Sequence, residues 1–295
     1  MTTPDLRQEE TAEAFSAALD QDLRAAARSL GREEARYLVD SYYRWQEQRK
    51  RGDNQLRALA SEPHTMLWLL ASQARLLERR IKAALGAYAA EQTVGRWSMS
   101  IVGIGPVIAA GLLAHIDIER APTVGHIWRF AGLDPTVTWE KGQKRPWNAR
   151  LRALCWNIGE SFVKTQSRPG DFYGHIYAAR KAKEQERNER GAYREQAELL
   201  LSKRRLSEGT LAYQSYRAGK LPPSHLHTRA KRYTVKLFLS HWHHVAYETR
   251  FGTPPPAPYI LAHPEILLDE EGKQAVGLRE HVHFIAPPNW PMEEP

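Results

Sequence analysis

The chain has 295 residues, of which 42% are hydrophobic and 26% are charged, a composition typical of a globular protein with a substantial core. The longest apolar run, Val107 to Ile116, is too short to cross a bilayer, and the polar, acidic first residues are unlike a secretory signal. The single cysteine, Cys155, excludes an internal disulfide and a zinc site built from several cysteines. We therefore expect a cytoplasmic protein that makes no contact with a membrane.

Positive charge is concentrated in the second half of the chain. The formal net charge is +8, and residues 140–250 hold 23 Lys and Arg against 10 Asp and Glu, so the remainder is net acidic. This asymmetry favours a polyanion as the partner of the basic half. Solvated helix faces account for the charge alone equally well.

Long helices are predicted over the first 90 residues. Pro4 and Gly31 bracket one helix, Glu33 to about Glu62 forms a second, and Pro63 separates that helix from a third. Apolar residues in the third helix recur at three- and four-residue steps, at Leu67, Leu70, Ala74, Leu77 and Ile81. We expect residues 1–92 to form a helical, coiled-coil stalk that pairs with a second copy, giving a homodimer or a higher oligomer.

Two closely spaced glycines precede a helix start in the next region. Val102-Gly103-Ile104-Gly105 is followed by Pro106 and then by small and apolar residues at helical spacing. The glycines allow backbone amides to approach a phosphate, Pro106 suits a first helical turn, and the helix N-terminus attracts an anion. We expect a helix-hairpin-helix in which Val102, Gly103, Ile104 and Gly105 bind one DNA backbone without reading its bases. The alternative is a glycine-proline helix start within a packed core.

A short polar stretch follows, over Glu140 to Asn148, and is predicted to be a loop or a small hairpin. Its cations and those just after it are Lys141, Lys144, Arg145, Arg150 and Arg152, and we expect them to contact phosphates next to the hairpin. Trp139 and Trp147 flank this run. These tryptophans brace the loop or stack on unpaired bases.

The remaining pattern is helical, with an extended end. Helices are predicted over Ala149 to Thr165, over Asp171 to about Arg190, then to about Ser207, and from about His227 to Phe251. Prolines then exclude a helix, at Pro254, Pro255, Pro256 and Pro258. The fold class is mainly α, with a stalk over 1–92, a helix-hairpin-helix domain over 93–253, and an extended tail over 254–295.

These motifs resemble the C-terminal transposase domain of the DEDD insertion-sequence transposases, the bridge-RNA recombinases. In that family a Gly-Ile-Gly-Pro hairpin leads to an element like Phe130-Ala131-Gly132-Leu133-Asp134-Pro135, a basic loop, and a helix like the one that begins at Asn148 and contains Leu151 and Arg152. The resemblance is good from about Ser98 to Trp156 and looser from Ala230 to Tyr259. It implies a DNA-binding domain of mobile-element origin.

Two departures from the family bear on catalysis. Family members begin with a strand-rich RuvC-like domain that carries four acidic metal ligands, whereas the first part of this chain is predicted to be helical. The family also uses a nucleophilic serine shortly after the Leu-x-Pro element, whereas this chain has Glu140-Lys141-Gly142 there and no serine from Ile101 through Gly159. Self-sufficient transposition is therefore not expected, and the catalytic residues stay unknown.

Histidines, tyrosines and serines elsewhere in the chain are further candidates for a metal or catalytic site. Histidines gather near the C-terminus, at His225, His227, His241, His243, His244, His263, His281 and His283, but without a familiar ligand spacing, so no metal site and no cofactor are expected. Tyr173 and Tyr177 fit a packed helix face better than a tyrosine recombinase, and Ser161 and Ser167 have no Asp-His partner spacing.

The leading hypothesis is a transposase-like protein that binds duplex or branched DNA through the hairpin and the basic run. One alternative is an active strand-transfer enzyme or nuclease that uses Thr138, Glu140 or the C-terminal histidines. A second alternative is an accessory module that binds a structured RNA.

Overall fold

The described residues of this protein, in a computed structural model, are 21–59, 65–203, 205–256 and 286–292. All regular structure within these ranges is helical, with no strand, so the predicted mainly α fold is confirmed. None of the helices in these ranges is both long and apolar enough to cross a membrane. The chain divides into two compact units, residues 1–100 with 104–117, and residues 101–103 with 118–295.

The first unit is built on two long helices. A helix over residues 21–28 precedes α1 (Arg32–Ala58), α2 (Thr65–Ala90), α3 (Thr93–Ser100) and α4 (Pro106–His115). A Cβ atom added to Gly52 of α1 would lie 3.0 Å from the Cβ of Ala71 in α2, so small residues let the two helices approach closely. α4 is apolar, is buried along most of its length, and packs against both α1 and α2. It therefore supplies much of the core of this unit.

An ion-pair network joins α1 to α2. Arg49 contacts Asp53 one turn away on α1 and Glu78 on α2, and Arg75 of α2 also contacts Asp53. The hydrogen bond from Arg75 lowers the pKa of the Asp53 carboxyl below its ordinary value. Burial raises the pKa of Glu78, but hydrogen bonds from Arg49 and its positive charge outweigh that effect and leave the pKa lowered. Both carboxyls therefore stay ionised at neutral pH.

The second unit is arranged around one long helix. After a 3-10 turn (Ile118–Arg120) it contains α5 (Val124–Phe130), α6 (Ala149–Thr165), α7 (Phe172–Glu189), α8 (Arg194–Lys203), α9 (Leu211–Arg217) and α10 (Pro223–Phe251). The helix α10 contacts α5, α6 and α7. Phe162 of α6, Tyr173 of α7 and Phe238 of α10 meet with ring centroids 4.8 to 5.5 Å apart, and all three are fully buried. This aromatic cluster is the centre of the unit.

A buried carboxylate organises a second part of this unit. The Glu184 side chain is 1% exposed and accepts hydrogen bonds from Arg180, Tyr193 and Arg229. Burial raises the pKa of Glu184, but the bonds from Tyr193 and Arg229 outweigh it, so the pKa lies below its ordinary value. A carboxylate buried this deeply is tolerated because each of its oxygens has a charged or hydroxyl partner.

Several elements differ in detail from the sequence-based prediction. α10 begins at Pro223, not near His227, because Pro222 and Pro223 fit the start of a helix. The short helix α9 was not predicted; Thr210 caps it by accepting a hydrogen bond from the Tyr213 amide. In α2, Ala74 is buried and Leu67 is half-buried, but Leu70 is 64% exposed while its neighbour Ala71 is buried, so the buried face passes through Ala71 and not through Leu70.

Part of the prediction falls outside the described residues. The proposed first helix after Pro4 lies mostly within residues 1–20, and most of the proposed tail lies within residues 257–285 and 293–295. The domain boundaries at 92 and 253 stay predictions.

The buried histidine His243 makes stability depend on pH. Its Nε2–H donates to the Ala121 carbonyl at 2.8 Å, and burial lowers its pKa below the ordinary 6.5. Unfolded chains take up this proton near pH 6.5 while the folded protein does not, so the free energy of unfolding falls as the pH drops below about 6.5. Thermal unfolding between pH 8 and pH 5 measures the loss.

A His243→Gln variant is the control for this prediction. Its unfolding temperature should change less over the same pH range, because the titrating group is gone, whatever its absolute stability. Carboxyls with lowered pKa values, such as Glu184, lose their contribution only at lower pH, below their ordinary 4.5. An identical pH profile for both proteins would contradict this account.

Candidate nucleic-acid interface

In the glycine turn, residues Val102 to Gly105, the fold requires a glycine at one position. Gly103 has a φ of +93°, and a Cβ there would lie 3.1 Å from Thr165 Oγ1 and 3.2 Å from Ser161 Oγ. The Ser161 hydroxyl donates a hydrogen bond to the Gly103 carbonyl. Backbone conformation and packing together therefore account for the glycine at position 103.

Gly105 differs from Gly103 in its surroundings. Its backbone is extended, with φ −100° and ψ 177°, and no atom lies within 4 Å of a Cβ built there. It is the N-cap residue of α4, Pro106 begins the helix, and no side chain caps the N-terminus. The positive end of the α4 dipole is thus left without a side-chain partner at an open position.

The other two residues of the glycine turn have different exposures. Ile104 is 4% exposed, so its side chain belongs to the core and only its backbone is available to a ligand. Val102 is half-buried. Any contact of this turn with DNA is therefore made mainly by backbone groups.

The element from Phe130 to Pro135 ends α5 with a left-handed glycine. Gly132 has a φ of +66°, its N–H donates to the Arg129 carbonyl at 3.1 Å, and the Leu133 N–H donates to the Trp128 carbonyl at 2.8 Å. This pair of bonds is a Schellman motif. A Cβ on Gly132 would lie 2.8 Å from the Trp147 ring, so the bare Cα of Gly132 is the surface on which Trp147 packs.

Asn148 fixes the end of the polar loop at the start of α6. Its side-chain oxygen accepts hydrogen bonds from the amides of Arg150 and Leu151, each at 3.0 Å. Its own N–H donates to the Phe130 carbonyl at 2.8 Å, which ties this cap to the end of α5. The motif Asn-x-x-Leu-Arg thus contains a helix N-cap.

Two tryptophans and two arginines form a ladder along the basic segment, which we define as residues 141–152. The rings of Trp139 and Trp147 lie 6.1 Å apart, the Arg145 guanidinium lies 5.6 Å from the Trp139 ring, and that of Arg152 lies 4.5 Å from the Trp147 ring. The Trp139 indole also donates to the Gln143 carbonyl at 2.8 Å. The tryptophans therefore brace the loop, which forms no hairpin of strands.

Cations of the basic segment are open to a ligand. Lys141, Lys144, Arg145 and Arg150 are exposed, and Arg152 is half-buried. Within the described part of the chain, Lys141, Lys144, Arg145 and Arg152 form no ion pair with a carboxylate. Their charge is therefore uncompensated, unlike the charge of the arginines around Glu184.

Helix α10 adds two cations that the sequence did not assign to the site. Lys236 Nζ lies 4.0 Å from the centroid of the Trp128 ring, and the Trp128 indole donates to the Lys236 carbonyl at 3.1 Å. Arg232 lies one turn before Lys236 on the same helix and is exposed. Lys236 meets Trp128 only in the tertiary fold, so no local pattern predicted this contact.

Most hydroxyls considered as nucleophiles are engaged in structural bonds. The Thr136 hydroxyl donates to Asp134 at 2.7 Å, and Ser161 is bonded to Gly103. Tyr173 is fully buried, and burial raises its pKa. Tyr177 is 2% exposed and hydrogen-bonded to His227 at 2.6 Å; its pKa is raised by burial and by Glu160. The two tyrosines are buried with raised pKa values, and the two aliphatic hydroxyls are occupied by hydrogen bonds within the protein, so none of the four resembles an activated nucleophile.

The histidines of α10 are candidate metal ligands by residue type. His241 and His243 are buried, with hydrogen bonds to Tyr173 and to the Ala121 carbonyl. Over the ranges that the structure describes, no group of three or more His, Cys, Asp and Glu residues is placed to hold a metal ion. His263, His281 and His283 lie outside those ranges.

This part of the chain matches a known protein family. Residues 96–173 match the family model described as Transposase IS116/IS110/IS902 family. No curated protein and no solved structure gives a significant match to the chain. The matched residues include the glycine turn, the Phe130 to Pro135 element, the basic segment and α6. The resemblance to insertion-sequence transposases is therefore confirmed over residues 96–173, which match the transposase domain of the IS116/IS110/IS902 family.

Proposed function

We propose that this protein binds DNA through backbone contacts, as a transposase-like protein of mobile-element origin. The observation that carries the proposal is a set of cations without carboxylate partners, Lys141, Lys144 and Arg145, on a braced loop inside the matched transposase segment. Because the loop is already braced, these cations release bound water and counterions and bind phosphates with little change in loop conformation. The partner is duplex or branched DNA, and a structured RNA is the competing polyanion.

The glycine turn is proposed as a second backbone contact. At Gly105 the α4 N-terminus is uncapped by any side chain and the space around the Cα is open. A phosphate oxygen at this point would accept hydrogen bonds from backbone amides in the favourable field of the helix dipole. Such contacts position a protein on DNA and carry no base specificity.

Self-sufficient catalysis is not part of the proposed function. The serine that the resemblance implies after the Leu-x-Pro element is replaced by Glu140, Lys141 and Gly142. Thr136 and Ser161 are committed to bonds within the protein, and Tyr173 and Tyr177 are buried. An aspartate, a metal or a nucleophile supplied by a partner would be needed for strand transfer.

The first prediction for this function concerns Gly105. Gly105→Asp places a carboxylate at the open N-cap of α4, where Asp is a favoured residue, so the fold should be unchanged or slightly stabilised. The same charge repels a phosphate, and duplex affinity should fall at least about fivefold, an energy of about 1 kcal/mol. Fluorescence anisotropy with labelled duplex and four-way-junction DNA measures the loss.

Gly105→Asn is the matched control, since Asn has the same shape and capping ability without the charge. It should retain near wild-type affinity, and thermal unfolding should show that both variants are folded. Equal affinity of the Asp and Asn variants would mean that the glycine turn does not contact phosphate. The basic segment alone would then have to account for any DNA binding.

The second prediction concerns chemistry on DNA. After incubation with duplex or junction DNA, with or without Mg²⁺ or Mn²⁺, the wild-type complex should dissociate fully on a denaturing gel and leave uncut strands. The reason is that Thr136 and Ser161 are bonded within the protein and Tyr173 is buried. A covalent protein–DNA band, or metal-dependent strand cleavage, would favour the enzyme alternative instead.

A further inference from the structure

Trp156 of α6 is a large aromatic residue that the fold leaves open to solvent. It is 55% exposed, although it lies on the same helix as Leu154 and Ile158, which are buried in the core. Lys231 of α10 lies against the indole, with its Nζ 3.2 Å from the ring centroid. Since Lys231 covers one face of the ring, the exposed area lies on the opposite face and along the ring edge.

Lys231 is held against this ring by contacts with α6. Its side chain is only 4% exposed and forms an ion pair with Glu160, one turn after Trp156. Its stem crosses α6 at Gly159, where a Cβ atom would lie 2.5 Å from the Lys231 Cγ. The bare Cα of Gly159 thus lets the lysine reach the indole and the carboxylate together. A ring that is backed in this way keeps one orientation, so stacking a ligand on it costs little side-chain entropy.

Cations without carboxylate partners lie on both sides of Trp156 along α6. Arg152 lies one turn before it on the same face, at the helical spacing of about 5 to 6 Å between Cβ atoms, and exposed Lys164 lies two turns after it. Within the described residues, neither cation forms an ion pair. Glu160 lies between them, and Lys231 compensates its charge. The surface around the ring therefore attracts the phosphates of a strand, and its charged residues are unlike the apolar core of a protein interface.

We propose that Trp156 stacks on an unpaired base of a DNA strand. The assignment rests on the proposed function and extends the DNA-binding surface from phosphates to bases. Every nucleobase has a π face, so a stacking ring binds unpaired strands with little regard to sequence. In an intact duplex the bases are stacked on one another and are not accessible to a ring on a helix surface. The bound DNA is therefore a single strand, or a branched or bulged duplex with at least one unpaired base.

The test compares two single strands of equal length, one with its bases and one made of abasic nucleotides. Both carry the same number of phosphates, so the comparison isolates the groups available for stacking. Wild type should bind the normal strand about tenfold more tightly than the abasic strand, in anisotropy titrations at one salt concentration. Trp156→Leu should bind both strands as wild type binds the abasic strand, and Trp156→Phe should keep part of the difference.

Trp68→Leu is the matched control. Trp68 is 57% exposed and lies on α2, outside the segment that matches the transposase family. This variant removes the same side chain and should leave both affinities unchanged. The slope of log affinity against log salt should be the same for wild type and Trp156→Leu, since stacking releases no counterions. Thermal unfolding should show that all three variants are folded.

The outcomes separate the stacking site from the proposed function. If wild type bound both strands equally, with a steep salt slope, the stacking site would be overturned and the proposed function would stand. An unchanged preference in Trp156→Leu, or an equal loss of affinity for both strands, would also overturn the site. The first result would place the stacking elsewhere, and the second would give Trp156 a structural role. If wild type bound neither strand and no duplex, the proposed function would fail together with this site.

Discussion

In the matched segment, the rest of the site depends on the close approach of the Trp147 ring to the bare Cα of Gly132. A Cβ at this point would lie 2.8 Å from the ring, so only glycine allows the contact. The Trp147 ring also lies 4.5 Å from the Arg152 guanidinium and 6.1 Å from the Trp139 ring, while Asn148 ties the start of α6 to Phe130. A loop of polar residues, which would otherwise be mobile, thereby presents its cations in one arrangement.

The lysines and arginines fall into two groups, those in ion pairs with carboxylates and those without such a partner in the described residues. Where arginine and lysine serve the fold, they are paired: Arg180 and Arg229 with Glu184, Lys231 with Glu160, and Arg49 with Glu78. Lys141, Lys144, Arg145 and Arg152 form no ion pair with a carboxylate within the described residues, and aromatic rings contact the guanidinium groups of Arg145 and Arg152. Unpaired cations repel one another in the free protein, and the proposed anionic partner would remove this repulsion.

How much of the structure the sequence predicts depends on how far apart in the chain the interacting residues are. Helices were predictable because their periodicity, caps and prolines are local, and so was the turn at Gly103, which needs its glycine for a positive φ. Contacts made by the tertiary fold were not predictable: Thr165 and Ser161 crowd Gly103, and Lys236 of α10 packs on the Trp128 ring 108 residues earlier in the chain. Leu70 was misassigned because a helical period allows either Leu70 or Ala71 after Leu67, and only the packing of Ala71 on Gly52 of α1 decides between them.

The central claim is that unpaired cations of the basic segment bind DNA phosphates without regard to sequence. The most direct measurement is duplex affinity across a salt series, for several unrelated sequences, with wild type beside a Lys141→Gln, Lys144→Gln, Arg145→Gln variant. The account predicts similar affinities for all sequences, a steep salt slope for wild type, and a slope smaller by about three for the variant. Absence of binding by wild type, or an equal slope for both proteins, would contradict it.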